Sequence, residues 1–226
     1  MKVVKDRAIV LQTKQPHLIT EKINNYKILK EERGVYKIAL RWDLYEAQVL
    51  AELKVKNVPS PIMRDYAWLG KHKPFKHQKE TSAFLTLHKK GFCFNEQGTG
   101  KTASVIWAVD YLMQQKKIKR VLIICPLSIM KSAWQDDLFK FAMHRTCSVA
   151  HGTSARRKKI FNAGAEFVII NFDGVAVVKD EIMNGGFDMV VVDEANAYKN
   201  TQTNRWKTLR CLQVLPQHNL LLMRLV

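Results

Sequence analysis

The sequence predicts an α/β fold, in which a parallel sheet carries helices on both faces and follows a small α+β module. Strand and helix patterns alternate from Phe75 onward, which is typical of such a sheet. The strands are continuous apolar runs, such as residues 189–192, which indicates that both of their faces are buried. A glycine-rich loop joins one short strand to the next helix, a third sign of this fold.

The first 62 residues have their own pattern. Residues 8–11 and 35–40 are predicted strands, and a helix is expected from Asp43 to about Leu53. Asp43 and Glu46 have the spacing of a helix N-cap and its reciprocal acid. Two prolines in residues 57–61 break the pattern. We therefore place a strand-strand-helix module at residues 1–62 and a second domain at 63–226.

In the second domain, the apolar patterns predict five strands and three helices. The strands cover residues 91–94, 121–125, 148–150, 167–170 and 189–192, and the helices cover 105–113, 129–141 and a basic segment from about 155.

Composition excludes a membrane protein and a disulfide-rich one. The chain has 226 residues, 47% of them apolar, which is enough for a real core. It contains neither a long uncharged apolar run nor an apolar N-terminal leader, so we expect a cytoplasmic protein without a membrane partner. The four cysteines stand far apart, which disfavours a zinc site and favours buried thiols.

The net charge points to a polyanionic partner. Lys and Arg number 37 against 20 Asp and Glu, a net charge of +17. Such an excess favours nucleic acid, because releasing counterions from phosphates drives binding. The charge clusters at residues 71–79, 116–120 and 156–159, although any single cluster is more often a solvated face.

The strongest motif is the loop at residues 95–102, Asn-Glu-Gln-Gly-Thr-Gly-Lys-Thr, between a strand and a helix. Its backbone N–H groups and the helix N-terminus suit phosphates. Lys101 is predicted to reach the β- and γ-phosphates, and the Thr102 hydroxyl to bind Mg²⁺. The loop backbone at Gln97, Gly98, Thr99 and Gly100 completes the predicted phosphate site. The general motif begins with glycine, where this chain has Asn95.

The second motif is a pair of acids, Asp193 and Glu194, directly after the apolar strand at 189–192. At the carboxyl end of a strand, Asp193 can hold Mg²⁺ through water, and Glu194 can orient and deprotonate the attacking water. Two acids after a strand are commonplace alone. Together with the phosphate loop, they predict an ATPase with Lys101, Asp193 and Glu194 as its catalytic residues.

These motifs resemble those of superfamily-two helicases, and residues 193–200 resemble the Swi/Snf-type ATPases in particular. The likeness covers about residues 75–200. It implies a RecA-like P-loop fold, ATP and Mg²⁺ as cofactors, and duplex or forked DNA as partner. It also implies that Gln78 reads adenine. It assigns DNA contacts to Pro126, Ser128, Asn171 and Lys199, with Trp134 in the same motif as Ser128. Residues 151–153 with Arg156 resemble the family's His-Gly turn.

The chain departs from the family pattern in two places. Asn196 stands where the family has a histidine that couples ATP state to the neighbouring lobe. The pattern also stops before the second RecA-like lobe, so we expect that lobe to be missing here, with supply in trans by a separate subunit as one route.

The first module resembles small modules of phage-encoded Swi/Snf-like helicases and HARP-type annealing helicases. That likeness implies a DNA-structure reader in bacterial or phage-infected cytosol, close to the nucleoid; a packing appendage is the other interpretation.

Two functions stay open. One is an ATP-dependent DNA helicase or translocase, represented by its ATP-binding lobe. The alternative is a truncated DNA-binding module that binds ATP without productive turnover. An unrelated P-loop kinase or GTPase is disfavoured, because the sequence lacks an Asn-Lys-x-Asp motif.

Overall fold

The computed structural model describes residues 1–93, 96, 98–194, 202–203, 207 and 219–223. The chain divides into two compact units. The first comprises Met1–Ala67 with Thr86–His88, and the second comprises Trp68–Leu85 and Lys89–Val226. The sequence placed the division at residue 62. In the structure the first unit extends to Ala67, and both Ile62 and Tyr66 are buried.

The first unit contains an antiparallel four-stranded sheet with the order β1-β2-β4-β3. Its strands are β1 (Lys2–Val4), β2 (Ala8–Thr13), β3 (Tyr26–Glu32) and β4 (Val35–Arg41), and its helices are α1 (His17–Thr20), α2 (Leu44–Glu52) and α3 (Ile62–Asp65). The predictions of β2, β4 and α2 are confirmed. Sequence reasoning missed β1 and β3, the edge strands. Every residue of β3 is exposed, so no alternation of apolar and polar residues marks it.

The predicted reciprocal cap of α2 does not form. Asp43 is the N-cap with extended backbone, but its side chain makes no capping hydrogen bond. It pairs instead with the Arg41 guanidinium at 2.6 Å, because an adjacent cation competes for the carboxylate. Glu46 is buried, and its Oε2 has no hydrogen-bond partner within the described part of the chain.

The second unit contains a six-stranded parallel sheet with the order β5-β10-β9-β6-β8-β7. The strands are β5 (Lys90–Cys93), β6 (Val121–Cys125), β7 (Cys147–Ala150), β8 (Phe167–Asn171), β9 (Met189–Val192) and β10 (Asn219–Met223). Every residue of β6, β8 and β9 is buried, which confirms the covered parallel sheet.

Six helices lie wholly or largely in this unit, within the described residues: α4 (Lys76–Leu87), α5 (Lys101–Gln114), α6 (Asp136–Phe141), α7 (Ser154–Asn162), α8 (Phe172–Val177) and α9 (Lys179–Asn184). The helix predicted for residues 129–141 is instead a 3₁₀ turn (Leu127–Ile129), a π-helix (Met130–Gln135) and then α6. Sequence reasoning missed α8 and α9, whose six residues each are too few to show helical periodicity.

The central strands of the second unit are buried on both faces by apolar side chains. Alternate residues of β6, β8 and β9 pack with apolar side chains of α7 and the segment from α8 to α9, including Phe161, Val175 and Ile182. The intervening residues, such as Ile123 and Val191, are also fully buried. Parallel strands end at one edge of their sheet, so the segments that follow them are brought together there.

Two further predictions concern cysteines and membranes. Cys93 and Cys125 are buried and Cys147 is half-buried, whereas Cys211 lies outside the described residues. No helix in the described ranges is both long and apolar enough to cross a bilayer.

Candidate active site

The phosphate-loop segment turns through two glycines with positive φ before α5 begins at Lys101. Gly98 has φ +78° and Gly100, the N-cap of α5, has φ +74°. Residues with a Cβ rarely adopt this left-handed conformation. A Cβ at Gly100 would also lie 2.2 Å from Gln78 Nε2. Backbone conformation and the hydrogen-bonded position of Gln78 therefore both favour glycine at position 100. Asn95 and Gln97 lie outside the described residues.

Lys101 folds back over the loop rather than into solvent. Its side chain is buried, and its Nζ donates to the Glu96 carbonyl oxygen at 2.7 Å. The Thr99 hydroxyl donates to the same oxygen, also at 2.7 Å. Thr102, half-buried, follows in the first turn of α5. The loop thus gathers an ammonium, a hydroxyl and a helix N-terminus, which together suit an anion.

Gln78 pins the loop to the start of α4. Its Nε2 donates to the Thr99 carbonyl oxygen at 3.1 Å, and its Oε1 accepts from the Phe75 backbone N–H at 2.9 Å. Both groups of the amide therefore hold protein partners, and reading a base would require exchanging one of them.

Asp193 ends β9 with both carboxylate oxygens engaged. Its Oδ2 accepts from the Trp134 indole N–H at 3.0 Å, and its Oδ1 accepts from the Glu194 backbone N–H at 2.9 Å. Burial raises the pKa of Asp193, although the Trp134 and Glu194 hydrogen bonds and the Lys101 charge oppose this rise. Burial and the Asp193 charge also raise the pKa of the neighbouring Cys125 thiol.

Glu194 adopts a strained conformation beside this carboxylate. Its φ of +55° lies in the left-handed region, where a non-glycine residue persists only if its surroundings hold it. Burial and the Asp193 charge raise the pKa of Glu194, and Lys101 lowers it. Lys101 thus acts electrostatically on both acids, so the structure brings together the loop lysine and the carboxylates that the sequence singled out.

Three candidate DNA contacts lie at the carboxyl ends of two neighbouring strands, β6 and β8, at the same edge of the sheet. Pro126 directly follows β6, and Ser128 is exposed in the 3₁₀ turn after it. Asn171 ends β8, and its Oδ1 accepts from Arg157 Nη1 at 2.9 Å. Arg157 also donates from Nε to the Gly152 carbonyl oxygen at 2.9 Å. Lys199 lies outside the described residues, as does the whole segment 195–201.

Sequence reasoning missed two of these interactions. It assigned Arg156 to the His-Gly turn, where the Arg156 backbone N–H donates to Thr153 Oγ1 at 3.4 Å, but it did not anticipate that Arg157 joins this turn to Asn171. It placed Trp134 in a DNA-touching motif, whereas the indole binds Asp193. No local signal marks either interaction, since each depends on how distant segments pack.

Part of the basic charge has a structural role. Arg120, in the cluster at 116–120, donates to the carbonyl oxygens of Phe161 and Ala165, each at 3.1 Å, and to that of Gly185. Its guanidinium also lies 4.5 Å from the centre of the Phe187 ring. In the cluster at 156–159, Lys158 pairs with Glu181 at 2.9 Å. These cations already have protein partners.

Comparison with known proteins identifies the family. A family model described as an SNF2-related domain matches residues 19–223. The chain belongs to this family. An SNF2-related domain therefore accounts for the predicted likeness to Swi/Snf-type, ATP-dependent helicases.

The relatives of this SNF2-related domain are much longer proteins. This chain is 30% identical over 141 residues to an uncharacterized ATP-dependent helicase of Mycoplasma genitalium, a match that covers 60% of this chain and 14% of the relative. It is 26% identical over 170 residues to the ISWI chromatin-remodeling complex ATPase ISW2 of Saccharomyces cerevisiae, covering 71% of this chain and 14% of that protein. The chain thus spans about a seventh of either relative.

A solved structure shares the fold. The Sulfolobus solfataricus SWI2/SNF2 ATPase core in complex with dsDNA matches with a TM-score of 0.60 and 23% identity, over 70% of this chain and 33% of that one. The parallel sheet with its helices is therefore the RecA-like fold that the sequence predicted.

Proposed function

We propose that this SNF2-related domain is the ATP-binding lobe of a DNA translocase or helicase, which binds Mg·ATP and hydrolyses it in response to DNA. One observation carries the proposal. The loop that leads to Lys101 follows β5 and Asp193 follows β9, so both lie at the carboxyl edge of the same parallel sheet. There the Lys101 charge opposes the rise in the pKa of both Asp193 and Glu194.

The residues at the loop fit a triphosphate. A Cβ on Gly98 would meet no described atom within 4 Å, so the backbone there is open to a close approach. In our proposal, the loop from Gln97 to Thr102 surrounds the phosphates, and Lys101 exchanges the Glu96 carbonyl for phosphate oxygens. Gln78 would read the adenine only after releasing Thr99 or Phe75.

The donor set also fits a hard cation. Mg²⁺ prefers oxygen ligands and is usually held by one or two carboxylates together with substrate phosphates and water. Asp193 offers a carboxylate, on which the Lys101 charge acts, and Thr102 offers a hydroxyl in the position directly after Lys101. When bound, Mg²⁺ would offset charge that develops on the phosphates.

Glu194 is proposed as the base that orients and deprotonates water. A carboxylate with a raised pKa is a stronger base than an ordinary one, and burial together with Asp193 raises the pKa of Glu194. The positive φ of Glu194 determines how its side chain leaves the strand end. Strained backbone of this kind is common at active sites.

DNA is the proposed polyanionic partner. The net charge of +17 supports it, and the solved neighbour of similar fold is described as a complex with dsDNA. Pro126, Ser128 and Asn171 are proposed as contacts. Because Arg157 occupies the Asn171 Oδ1, that side chain presents its NH₂ group, a donor suited to phosphate oxygens. Lys199 keeps its proposed role from the motif alone.

The first unit, which the sequence analysis predicted as residues 1–62, is proposed to read DNA structure through the open face of its sheet. Ile9, Ile38 and Leu40 are buried on one face. The strand register places Lys2, Lys27, Lys30, Lys37 and Arg41 on the opposite face. Lys30 pairs with Glu32 and Arg41 with Asp43, whereas Lys2, Lys27 and Lys37 are exposed cations that fit phosphates. A phage-type origin, and a site of action at the nucleoid, rest on the sequence resemblance of this module alone.

Turnover in this proposal needs a second RecA-like lobe, from elsewhere in the protein or in trans. Closure of a second lobe over the nucleotide would bring an arginine to the transferred phosphate, an effect worth about 10³–10⁵ in related phosphoryl-transfer enzymes. We therefore expect these 226 residues alone to bind ATP and DNA but not to unwind or translocate.

The test compares Lys101→Ala with Lys119→Ala, an exposed lysine of the same unit. Titration with a fluorescent ATP analogue should show greatly weakened binding for the first variant and unchanged binding for the second. Equal affinities in all three proteins would refute the nucleotide site. With a second RecA-like lobe supplied, Glu194→Gln should bind ATP normally but lose the DNA-stimulated hydrolysis that the parent then shows. A parent chain that binds ATP without any turnover, even with a second lobe supplied, would favour the alternative of a non-hydrolysing DNA-binding module.

A further inference from the structure

Trp134 occupies an unusual place in the second unit. It lies in the π-helix Met130–Gln135 that follows β6, and its side chain is fully buried. A π-helical turn widens the helix, is rare, and is often found at functional sites. Here it accompanies an indole whose N–H reaches Asp193 Oδ2 at 3.0 Å.

The pairing of β9 with β6 places Asp193 next to the Trp134 indole. Val192 pairs with Ile124 of β6, and the Asp193 backbone N–H donates to the Ile124 carbonyl oxygen at 2.8 Å. The segment after β9 therefore runs beside the segment after β6. Trp134 bonds one carboxylate oxygen and the Glu194 N–H bonds the other, so the carboxylate is held in one orientation.

An indole N–H suits this task chemically. It donates one hydrogen bond, carries no charge and cannot ligate a cation. A lysine or arginine in its place would orient the carboxylate but would also offset its negative charge. Trp134 leaves that charge, and the second lone pair of each oxygen, to interact with a cation.

We propose that Trp134 is a positioning residue that sets the orientation of Asp193 for the Mg²⁺ of Mg·ATP. The proposal rests on the proposed function, and it gives the residue a role different from the DNA contact of its motif. Partners that orient a metal-binding side chain typically contribute about 10–100-fold to metal affinity.

The test replaces Trp134 by Phe, which keeps an aromatic ring but removes the N–H. Trp107→Phe is the matched control, because the Trp107 indole is also buried and donates to a backbone oxygen, that of Leu69, at 2.8 Å. Affinity for a fluorescent ATP analogue is measured in EDTA and across a Mg²⁺ titration. In Trp134→Phe we expect unchanged affinity in EDTA and about a 10–100-fold rise in half-saturating Mg²⁺. Trp107→Phe should match the parent in both.

The outcomes separate the two proposals. If the parent chain shows no Mg²⁺-dependent nucleotide binding, the proposed function fails. If the parent does and Trp134→Phe has the same half-saturating Mg²⁺, the indole serves only packing and the inference is overturned. Should Trp134→Phe fail to fold, benzothienylalanine at position 134 keeps the two-ring shape without the N–H. It must then raise the half-saturating Mg²⁺ for the inference to stand.

Discussion

The two loop glycines provide a matched test of the phosphate-loop geometry. Gly98 and Gly100 both have positive φ, so alanine at either position should cost about 1–2 kcal/mol in backbone strain. Among the described residues, the new Cβ meets a neighbour at Gly100, Gln78 Nε2 at 2.2 Å, but none within 4 Å at Gly98. Displacing Gln78 breaks its bonds to Thr99 and Phe75, which are worth about 0.5–1.5 kcal/mol each. Gly100→Ala should therefore destabilise by about 2–5 kcal/mol and Gly98→Ala by about 1–2 kcal/mol.

The assay is chemical unfolding followed by tryptophan fluorescence and circular dichroism, whose transitions should coincide if the unit unfolds cooperatively. Each substitution is made in the parent and in Gln78→Ala. Without the Gln78 side chain the clash disappears, so the two glycine substitutions should then cost about the same 1–2 kcal/mol. Equal costs in the parent, or a gap that persists in Gln78→Ala, would refute the role assigned to Gln78.

Three further predictions concern other parts of the chain. Arg120→Ala should destabilise the protein by about 2–4 kcal/mol, because three carbonyl oxygens lose the hydrogen bonds that Arg120 donates. As a control, replacement of the exposed Lys119 by Ala should change the unfolding free energy by less than about 0.5 kcal/mol. Similar melting temperatures for the two variants would contradict this. Burial raises the pKa of the Cys147 thiol to about 11. The rate of Cys147 alkylation, followed by peptide mass spectrometry, should therefore rise about tenfold per pH unit from pH 7 toward pH 11, because the thiolate is the reactive form. A plateau in this rate near pH 9 would disprove the prediction. Binding of duplex DNA should weaken steeply as the salt concentration rises. The double variant Lys27→Ala, Lys37→Ala should reduce the slope of log binding constant against log salt concentration by about 0.9 for each phosphate that it no longer neutralises. An unchanged slope would show that the open sheet face of the first unit does not bind DNA.

The phosphate loop and the central strands could be predicted from the sequence because they depend on residues that are close together in the chain. A short strand, a glycine-rich turn and a helix follow one another directly in residues 90–114, so short-range preferences determine the phosphate loop. The Val/Ile runs identify β6, β8 and β9 for the same reason, because strands buried on both faces need apolar side chains at every position. The position of Asp193 and Glu194 at the end of β9 follows from that run alone.

The interactions that organise the site depend on packing between distant segments. The indole of Trp134 meets Asp193 only because β6 and β9 are neighbours in the sheet and a π-helix turns that side chain inward. Arg157 of α7 reaches Asn171 at the end of β8, a contact that depends on how these two distant segments pack. Edge strand β3 forms by pairing with β4 despite having no buried residue. The sequence by itself determined the fold class and the chemical groups of the candidate site, since these follow from local pattern. The tertiary structure alone decided which side chains orient those groups, since that depends on strand order and on the direction in which each helix packs.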